Sequence, residues 1–543
     1  MNGENIISSD SLGIMKEEAG KMKRLSFENK GMDVVIVVTC DFEQEVYWEK
    51  RLKQTIKQIV KRNTIVIATH EDWNGPAGNG LGTLYAYMKA EKKAMEQYGV
   101  GLRRMQREGA SIALYHAAGK GTRLAPLSGC EYNNKPSVKL PCLLTVDGEK
   151  AAMTLLEAVI KQTAVYAESH SGRLCVFWGD QIFIPSASSA SLPSHHINIF
   201  ARRLPSPSKE EWRRMHLEKY GIIFISEDES ARQVEKINYE TFLSLKQEEE
   251  VAASLGSFSL SFSILEAFLQ EFSEELELKK GFLNSDQDFW MPLTLDFRVF
   301  SKILESRNVD SRELERRYKR MGSFKERFIE KNPKCDLFGV VDVGRESYWW
   351  DYGQIHHYFN NVMKLTKSTH EADAMKVFYN IDNHLDDNRF LEVNCDDSSI
   401  IFNSSIKRGR VRNSVLIGVT AEDIDVSNVF VMNTSAKRIK GKRSLFYNVV
   451  EEGEVFLSDG SVRADAFVSG KEKHLKFLTK LERNGSEDWK VRLASNPISY
   501  EELYESNSIT GLFYALELFN LSQKNLIEKY RLKDENSIGA GSQ

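Results

Sequence analysis

The residues best suited to chemistry sit in two glycine-rich stretches. Gly119-Lys120-Gly121-Thr122-Arg123 follows closely on the apolar run Ser111 to Tyr115 and carries two cations. Glycine has no Cβ, so such a loop lets backbone N–H groups approach a phosphate, and Lys120 and Arg123 add positive charge. The string is neither the GxGxxG dinucleotide fingerprint nor a Walker A loop, which needs Gly-Lys-Ser/Thr after four intervening residues. Upstream lies a second stretch, Trp73-Asn74-Gly75-Pro76-Ala77-Gly78-Asn79-Gly80-Leu81-Gly82-Thr83. No Ser-His-Asp or Cys-His set stands out for nucleophilic catalysis. The adjacent histidines His195-His196 and His356-His357 tend to face apart and make poor zinc pairs. Six cysteines without a CxxC pair imply neither a zinc module nor a disulfide framework.

These loops need rigid elements behind them. Asp33 to Thr39 and Thr64 to Thr69 read as strands buried on both faces, and Ser111 to Tyr115 and Leu174 to Trp178 as two more. Gln44 to Lys61, the stretch after Thr83, and Thr154 to Ala167 carry apolar residues at helical spacing. Alternation of this kind predicts an open, mostly parallel α/β sheet of Rossmann-like type. Past residue 385 the texture changes to short β-branched bursts such as Asn413 to Gly418, Ser427 to Met432 and Asn448 to Val450. Repeated short bursts suit a β-solenoid, with an ordinary antiparallel β domain as the alternative. Leu503, Leu512, Phe513, Leu516 and Leu518 predict a helical cap. The expected organisation is a loosely ordered polar arm over 1–30, an α/β unit over 31–385, a β-solenoid over 386–475 and a helical tail over 476–543.

Composition narrows the function. Apolar residues make up 41% of the 543, enough for a sizeable core, and 73 Lys and Arg against 77 Asp and Glu give a net charge of −4. A nucleic-acid-binding protein would show a basic excess, so no nucleic-acid partner is expected. No apolar run approaches the ~18 residues of a membrane span, and the N-terminus lacks a signal-peptide stretch. The expectation is a soluble, cytoplasmic protein with a small-molecule substrate and no membrane partner.

Ala117-Ala118-Gly119-Lys120-Gly121-Thr122-Arg123-Leu124-Ala125-Pro126-Leu127, followed by Lys135-Pro136, closely resembles the signature of sugar-1-phosphate nucleotidyltransferases. Four more segments match in order. Trp178-Gly179-Asp180 resembles the strand-end Gly-Asp whose carboxylate holds Mg²⁺. Lys219-Tyr220-Gly221 with Val234-Glu235-Lys236 is similar to the family's Tyr-Gly and Glu-Lys-Pro segment. Ser254-Leu255-Gly256-Ser257-Phe258 stands where a sugar-contacting glycine turn is expected. Trp349-Trp350-Asp351-Tyr352-Gly353 resembles the segment supplying a second metal carboxylate. Ile237 and Gln354 depart from the pattern, standing where the family has proline and threonine. The Leu-Gly-Thr-Ala loop that touches the base is missing between Lys135 and Asp180, an interval that reads as a single helix. Gly80-Leu81-Gly82-Thr83-Leu84 occurs upstream instead. The catalytic domain therefore reads as circularly permuted, with 31–110 as the moved base-binding unit, a feature shared more weakly with fucose-1-phosphate guanylyltransferases.

The resemblance implies a GT-A-type fold and transfer of a nucleotidyl group from an NTP to a sugar-1-phosphate, releasing pyrophosphate. It implies Arg123, Lys135 and Lys236 as catalytic cations, with Lys139 as the alternative to Lys135. Nucleotide contacts would come from Gly82, Thr83, Ala118, Gly119, Gly121 and Thr122. Sugar-phosphate contacts would come from Glu235, Lys236, Gly221 and Gly256, beside the acidic, aromatic segment Asp286 to Pro292. Asp180 and Asp351 would hold Mg²⁺; alone, the first also reads as a turn cap and the second as a salt-bridged surface carboxylate. Self-association is expected through the solenoid. The competing reading is a catalytically inactive relative with a regulatory or scaffolding role.

Overall fold

The computed structural model describes residues 7–305, 309–384, 388–470 and 474–530. Its first sheet is built around the strand Val34–Thr39, all six residues of which are buried. A β-branched run of that kind is stable where both faces are covered. Ile65–His70 and Ile112–His116 pair with it in parallel on either side, and Arg173–Trp178 lies parallel beyond Ile112–His116. The sheet continues antiparallel through Glu250–Ser261, Gly221–Ile225 and Ala231–Glu235, with Ile197–Leu204 and Phe338–Asp342 branching from it. This is a mixed α/β sheet. Counting Ile112–His116 as strand 1, the order from Ile65–His70 to Arg173–Trp178 is the 3-2-1-4 of a doubly wound sheet. The strand that feeds the glycine loop is therefore central, although two strands precede it in the chain.

Three local differences from the sequence reading have physical causes. Within the region expected as a loose polar arm, Ser9–Arg24 is a helix, capped by Ser8, that buries Met15, Ala19 and Met22 along one face, while residues 1–6 lie outside the described residues. The glycine stretch is loop only up to Ala77, because the helix Gly78–Tyr98 takes in Gly80 and Gly82. The interval from Lys135 to Asp180 holds more than one helix. A hairpin, Lys139–Val146 with Glu149–Thr154, precedes the helix Leu155–Thr163. Its two-residue turn is Asp147-Gly148 at φ 50° and 86°, the backbone that a tight hairpin demands.

Among the described residues the second sheet has nine strands and runs almost in chain order, from Arg389–Cys395 through Ser405–Arg412, Thr420–Met432 and Ser435–Tyr447 to Ser461–Phe467 and His474–Lys480. All pairings but the last are parallel, which removes the antiparallel alternative. Ser405 pairs with Thr420 and Thr420 with Ser435, so the register recurs every 15 residues. The bends recur too: Asn403, Gly418, Asn433 and Asn448 take positive φ, as do Asn413 and Asn428. Asparagine tolerates that left-handed backbone better than other side chains. The strand His474–Lys480 crosses the 475/476 boundary read from the sequence, and the 385/386 boundary lies outside the described residues.

One buried cluster joins the two sheets, running from Met15, Val37, Tyr115 and Phe177 to Phe430, Leu445 and Leu503. At the junction the Glu131 carboxylate pairs with Lys139 and accepts hydrogen bonds from Tyr447 Oη (2.6 Å) and Asn448 Nδ2 (2.9 Å). The C-terminal helices Tyr500–Thr510 and Leu512–Tyr530 bury Leu503 and Leu512 and leave Phe513 exposed. Among the described residues no helix is long and apolar enough to cross a membrane.

Candidate functional site

The polar residues gather beyond the carboxyl ends of the parallel strands, where an open α/β sheet leaves a crevice. Asp180 follows Arg173–Trp178, and the next strand, Gln181–Ile184, pairs antiparallel with Tyr348–Asp351 so that Asp351 stands opposite Gln181. That register makes the two aspartates neighbours. Tyr352 N donates to Asp180 O at 3.1 Å. A methyl group on Gly353 would stand 3.0 Å from Asp351 Oδ1, 3.3 Å from Asp180 Oδ2 and 3.4 Å from an Arg123 guanidinium nitrogen. Lys135 Nζ donates to Asp180 Oδ2. Four of the expected residues thus converge on one point.

Burial pushes the Asp351 carboxyl up, but His357 (3.3 Å), the Gly353 N–H (2.7 Å) and Arg123 outweigh it and hold the group below its ordinary value. The loop 119–122 packs beside Lys135: a methyl on Gly121 would meet Lys135 Cβ at 2.9 Å, whereas one on Gly119 meets nothing within 4 Å. Gly119 N donates to Cys40 Sγ at 3.0 Å, and Ala118 and Thr122 are half-buried. Lys139 is turned away to Glu131 at the junction with the second sheet, so of the two candidate lysines Lys135 is the one in the cluster.

Gly82 and Thr83 sit in the first turns of the helix Gly78–Tyr98. Thr83 is buried; its Oγ1 lies 2.7 Å from Asn79 O and 2.8 Å from His116 Nε2. His116 ends the strand that feeds the glycine loop, and burial pushes its imidazole down to about 4, so it is neutral at pH 7. Its ring stacks on Trp178 at 5.1 Å. A methyl on Gly256 would reach Trp178 Nε1 at 2.5 Å, so the contact path runs from Thr83 through His116 and Trp178 to Gly256.

The remaining residues cluster on the hairpin Gly221–Ile225 and Ala231–Glu235, where Gly221 pairs with Glu235. A methyl on Gly221 would meet Glu235 Oε2 at 2.8 Å and Gln233 Nε2 at 2.9 Å. Lys236 Nζ stands 3.3 Å from Glu235 Oε1. Tyr220 packs edge-on against Trp349 at 6.3 Å, which ties this group to the aspartate pair. Ile237, in place of the family's proline, is buried with Ile222 and Phe224. Gln354 begins the helix Ile355–Met363 without a side-chain cap.

Sequence reasoning missed Gln233 and His116, set His357 aside as half of a poor zinc pair, and gave no individual role to Asp286. Gln233 Nε2 donates to Asp286 Oδ1 at 2.6 Å. Burial raises the Asp286 carboxyl, and Gln233 and Lys236 offset part of that rise. The preceding residues Leu283 and Ser285 bond to Gly80 N (2.9 Å) and Asn79 Oδ1 (2.9 Å), so one segment touches both the upstream glycines and the hairpin. No local pattern signals these contacts, since each joins elements far apart in the chain. Among the described residues no group of three or more His, Cys, Asp and Glu converges as a metal cluster.

No family model and no curated protein matches the chain. Solved structures show a weak likeness, two of them as follows. HddC from Yersinia pseudotuberculosis complexed with GMP-PN matches at 11% identity, covering 62% of this chain and 100% of its own, at a TM-score of 0.21. CMP:2-keto-3-deoxy-manno-octonic acid synthetase complexed with CTP matches at 9% identity over 57% of this chain and 90% of its own, at a TM-score of 0.17. At scores this low the likeness carries no argument, and the weight rests on the geometry.

Proposed function

We propose that the protein transfers a nucleotidyl group from an NTP to a sugar-1-phosphate, forming a nucleotide sugar and pyrophosphate. One observation carries the reading: Arg123, Asp180 and Asp351 close around Gly353, with Lys135 on Asp180, beside a glycine loop whose Gly119 faces open space. The acceptor phosphate is already ionised at neutral pH, because its second pKa is ~6, so no general base is needed. Charge neutralisation and alignment then supply the rate. Arg123 and Lys135 offset the negative charge at the α-phosphorus, and the N–H groups from Ala118 to Thr122 cradle the remaining phosphates. Glu235, Gly221, Gly256 and Lys236 take the sugar phosphate.

Asp180 and Asp351 fit Mg²⁺, which is usually held by one or two carboxylates plus substrate phosphates and does not require a larger protein cluster. When bound, the ion would polarise the phosphoryl oxygens as a Lewis acid.

The permuted arrangement belongs to the same reading. The position of Val34–Thr39 and Ile65–His70 beside the loop strand, and the Thr83–His116 contact, support 31–110 as the base-binding unit of a catalytic domain over 31–385. The 15-residue parallel register supports a β-solenoid for the second sheet.

The test is pyrophosphate release from the full chain with Mg²⁺, a panel of NTPs and a panel of sugar-1-phosphates. One pair should give release that depends on Mg²⁺. Release undiminished in Asp180→Asn overturns the metal assignment, and no release from any pair overturns the reading in favour of an inactive scaffold.

A further inference from the structure

The chain returns to the glycine loop long after leaving it. Beyond the second sheet, a turn held by Asn484 Oδ1, which accepts from Ser486 N (3.1 Å) and Ser486 Oγ (2.8 Å), lies against the backbone of residues 122–125. A methyl on Gly485 would stand 2.5 Å from Thr122 O and 2.7 Å from Ala125 O. Cβ atoms do not come that close to backbone, so the approach requires glycine. The helix Tyr500–Thr510 continues the contact. A methyl on Gly129 would meet Leu503 Cδ2 at 2.5 Å, and Asn507 Nδ2 donates to Gly129 O (2.7 Å) and Asn133 Oδ1 (3.0 Å). Asn133 Nδ2 returns a hydrogen bond to Tyr504 O at 2.7 Å. The Tyr504 ring lies 5.2 Å from Lys120 Nζ and is braced edge-on by Trp489 at 5.8 Å.

We propose that the C-terminal segment 484–507 is the rear wall of the NTP phosphate site, and that Tyr504 positions the Lys120 ammonium for the phosphates. The inference rests on the reading that the glycine loop binds an NTP. A lysine carries a flexible four-carbon stem and loses rotamer freedom when it grips a ligand. A ring under its ammonium holds part of that order in advance, through a cation–π contact. The turn at Gly485 fixes the loop backbone at Thr122 and Ala125. Tyr504 is thus a positioning residue, acting through Lys120.

The experiment uses the full chain, a fluorescent non-hydrolysable NTP analogue at equilibrium, and steady-state kinetics. Tyr504→Ala should weaken analogue binding and raise the KM for NTP about two- to fivefold, the range of an exposed cation–π contact. The KM for the sugar-1-phosphate and the thermal midpoint should stay where they are. Tyr504→Phe keeps the ring and should bind the analogue like wild type. In a Lys120→Met background Tyr504→Ala should add nothing, since the two residues act as one unit. Unchanged analogue binding in Tyr504→Ala, an equal rise in both KM values, or a full effect in the Lys120→Met background overturns the inference. Failure of the wild type to bind any NTP overturns instead the functional reading on which it stands.

Discussion

Along the second sheet Asp423 stands between Arg408 (3.3 Å) and Arg438 (3.6 Å), Arg438 reaches on to Glu454 (2.5 Å), and Lys407 meets Glu422 (2.7 Å). These charges pair with opposite charges on the neighbouring strands. At the carboxyl ends of the first sheet the charges are not spread this way. Asp180, Asp351 and Arg123 crowd around the empty side of one glycine, Lys135 pairs with Asp180, and the charge of Lys236 acts on Asp286. A repeating register distributes charge because each position has an equivalent neighbour. A sheet whose strands arrive out of chain order brings unlike loops together at one edge, and that is where concentrated charge can act on a ligand.

Four substitutions separate the two sheets, from the largest effect to the smallest. Phe446→Ala empties a fully buried position inside the stacked repeat. It should cost ~3–5 kcal/mol in denaturant unfolding, with turnover retained wherever the protein is still folded. Asp180→Asn should do the reverse: pyrophosphate release should fall ~10²–10³-fold, the scale of losing one charge-stabilising group, with the unfolding midpoint kept.

The third works through pH. Burial raises the Asp465 carboxyl, but His474 (2.7 Å) and Arg463 (2.9 Å) outweigh it and hold the group below its ordinary value. Its contribution to stability is complete above the unfolded aspartate pKa of about 3.9 and is lost as pH falls through the lower folded value. Chemical unfolding should therefore show wild type losing stability below about pH 4, and Asp465→Asn, weaker at neutral pH, losing less over the same range. Asp423→Asn is the smallest. It should change stability by no more than ~1 kcal/mol and leave pyrophosphate release alone; a large loss of release would erase the contrast between the sheets.

Much of the first sheet is legible in the chain, because Val34–Thr39, Ile65–His70 and Ile112–His116 are short apolar runs and the loop follows the last of them. The aspartate pair is legible as motif but not as geometry, since only the pairing of Tyr348–Asp351 with Gln181–Ile184 makes Asp180 and Asp351 neighbours. Two signals were present and unread: the Asp147-Gly148 hairpin turn, and the 15-residue spacing from Gly418 to Asn433 to Asn448. The helix Ser9–Arg24 hides in a polar stretch because only Met15, Ala19 and Met22 face inward, with one glutamate, Glu18, buried among them. Gln233 and Gly485 leave no trace at all, because their partners Asp286 and Thr122 are far off in sequence and nothing in the local pattern names them.

The contact between Gly485 and the carbonyls of Thr122 and Ala125 also sets a timetable. The ribosome makes the glycine loop early and its backing late. Domains begin to fold during synthesis, at about 5–20 residues per second, so the loop waits tens of seconds for the turn that lies behind it. Over that interval the nascent chain carries the cations of the loop without the brace, and a truncated chain keeps them that way permanently. The loop gains its brace only once residue 485 has been made and folded back.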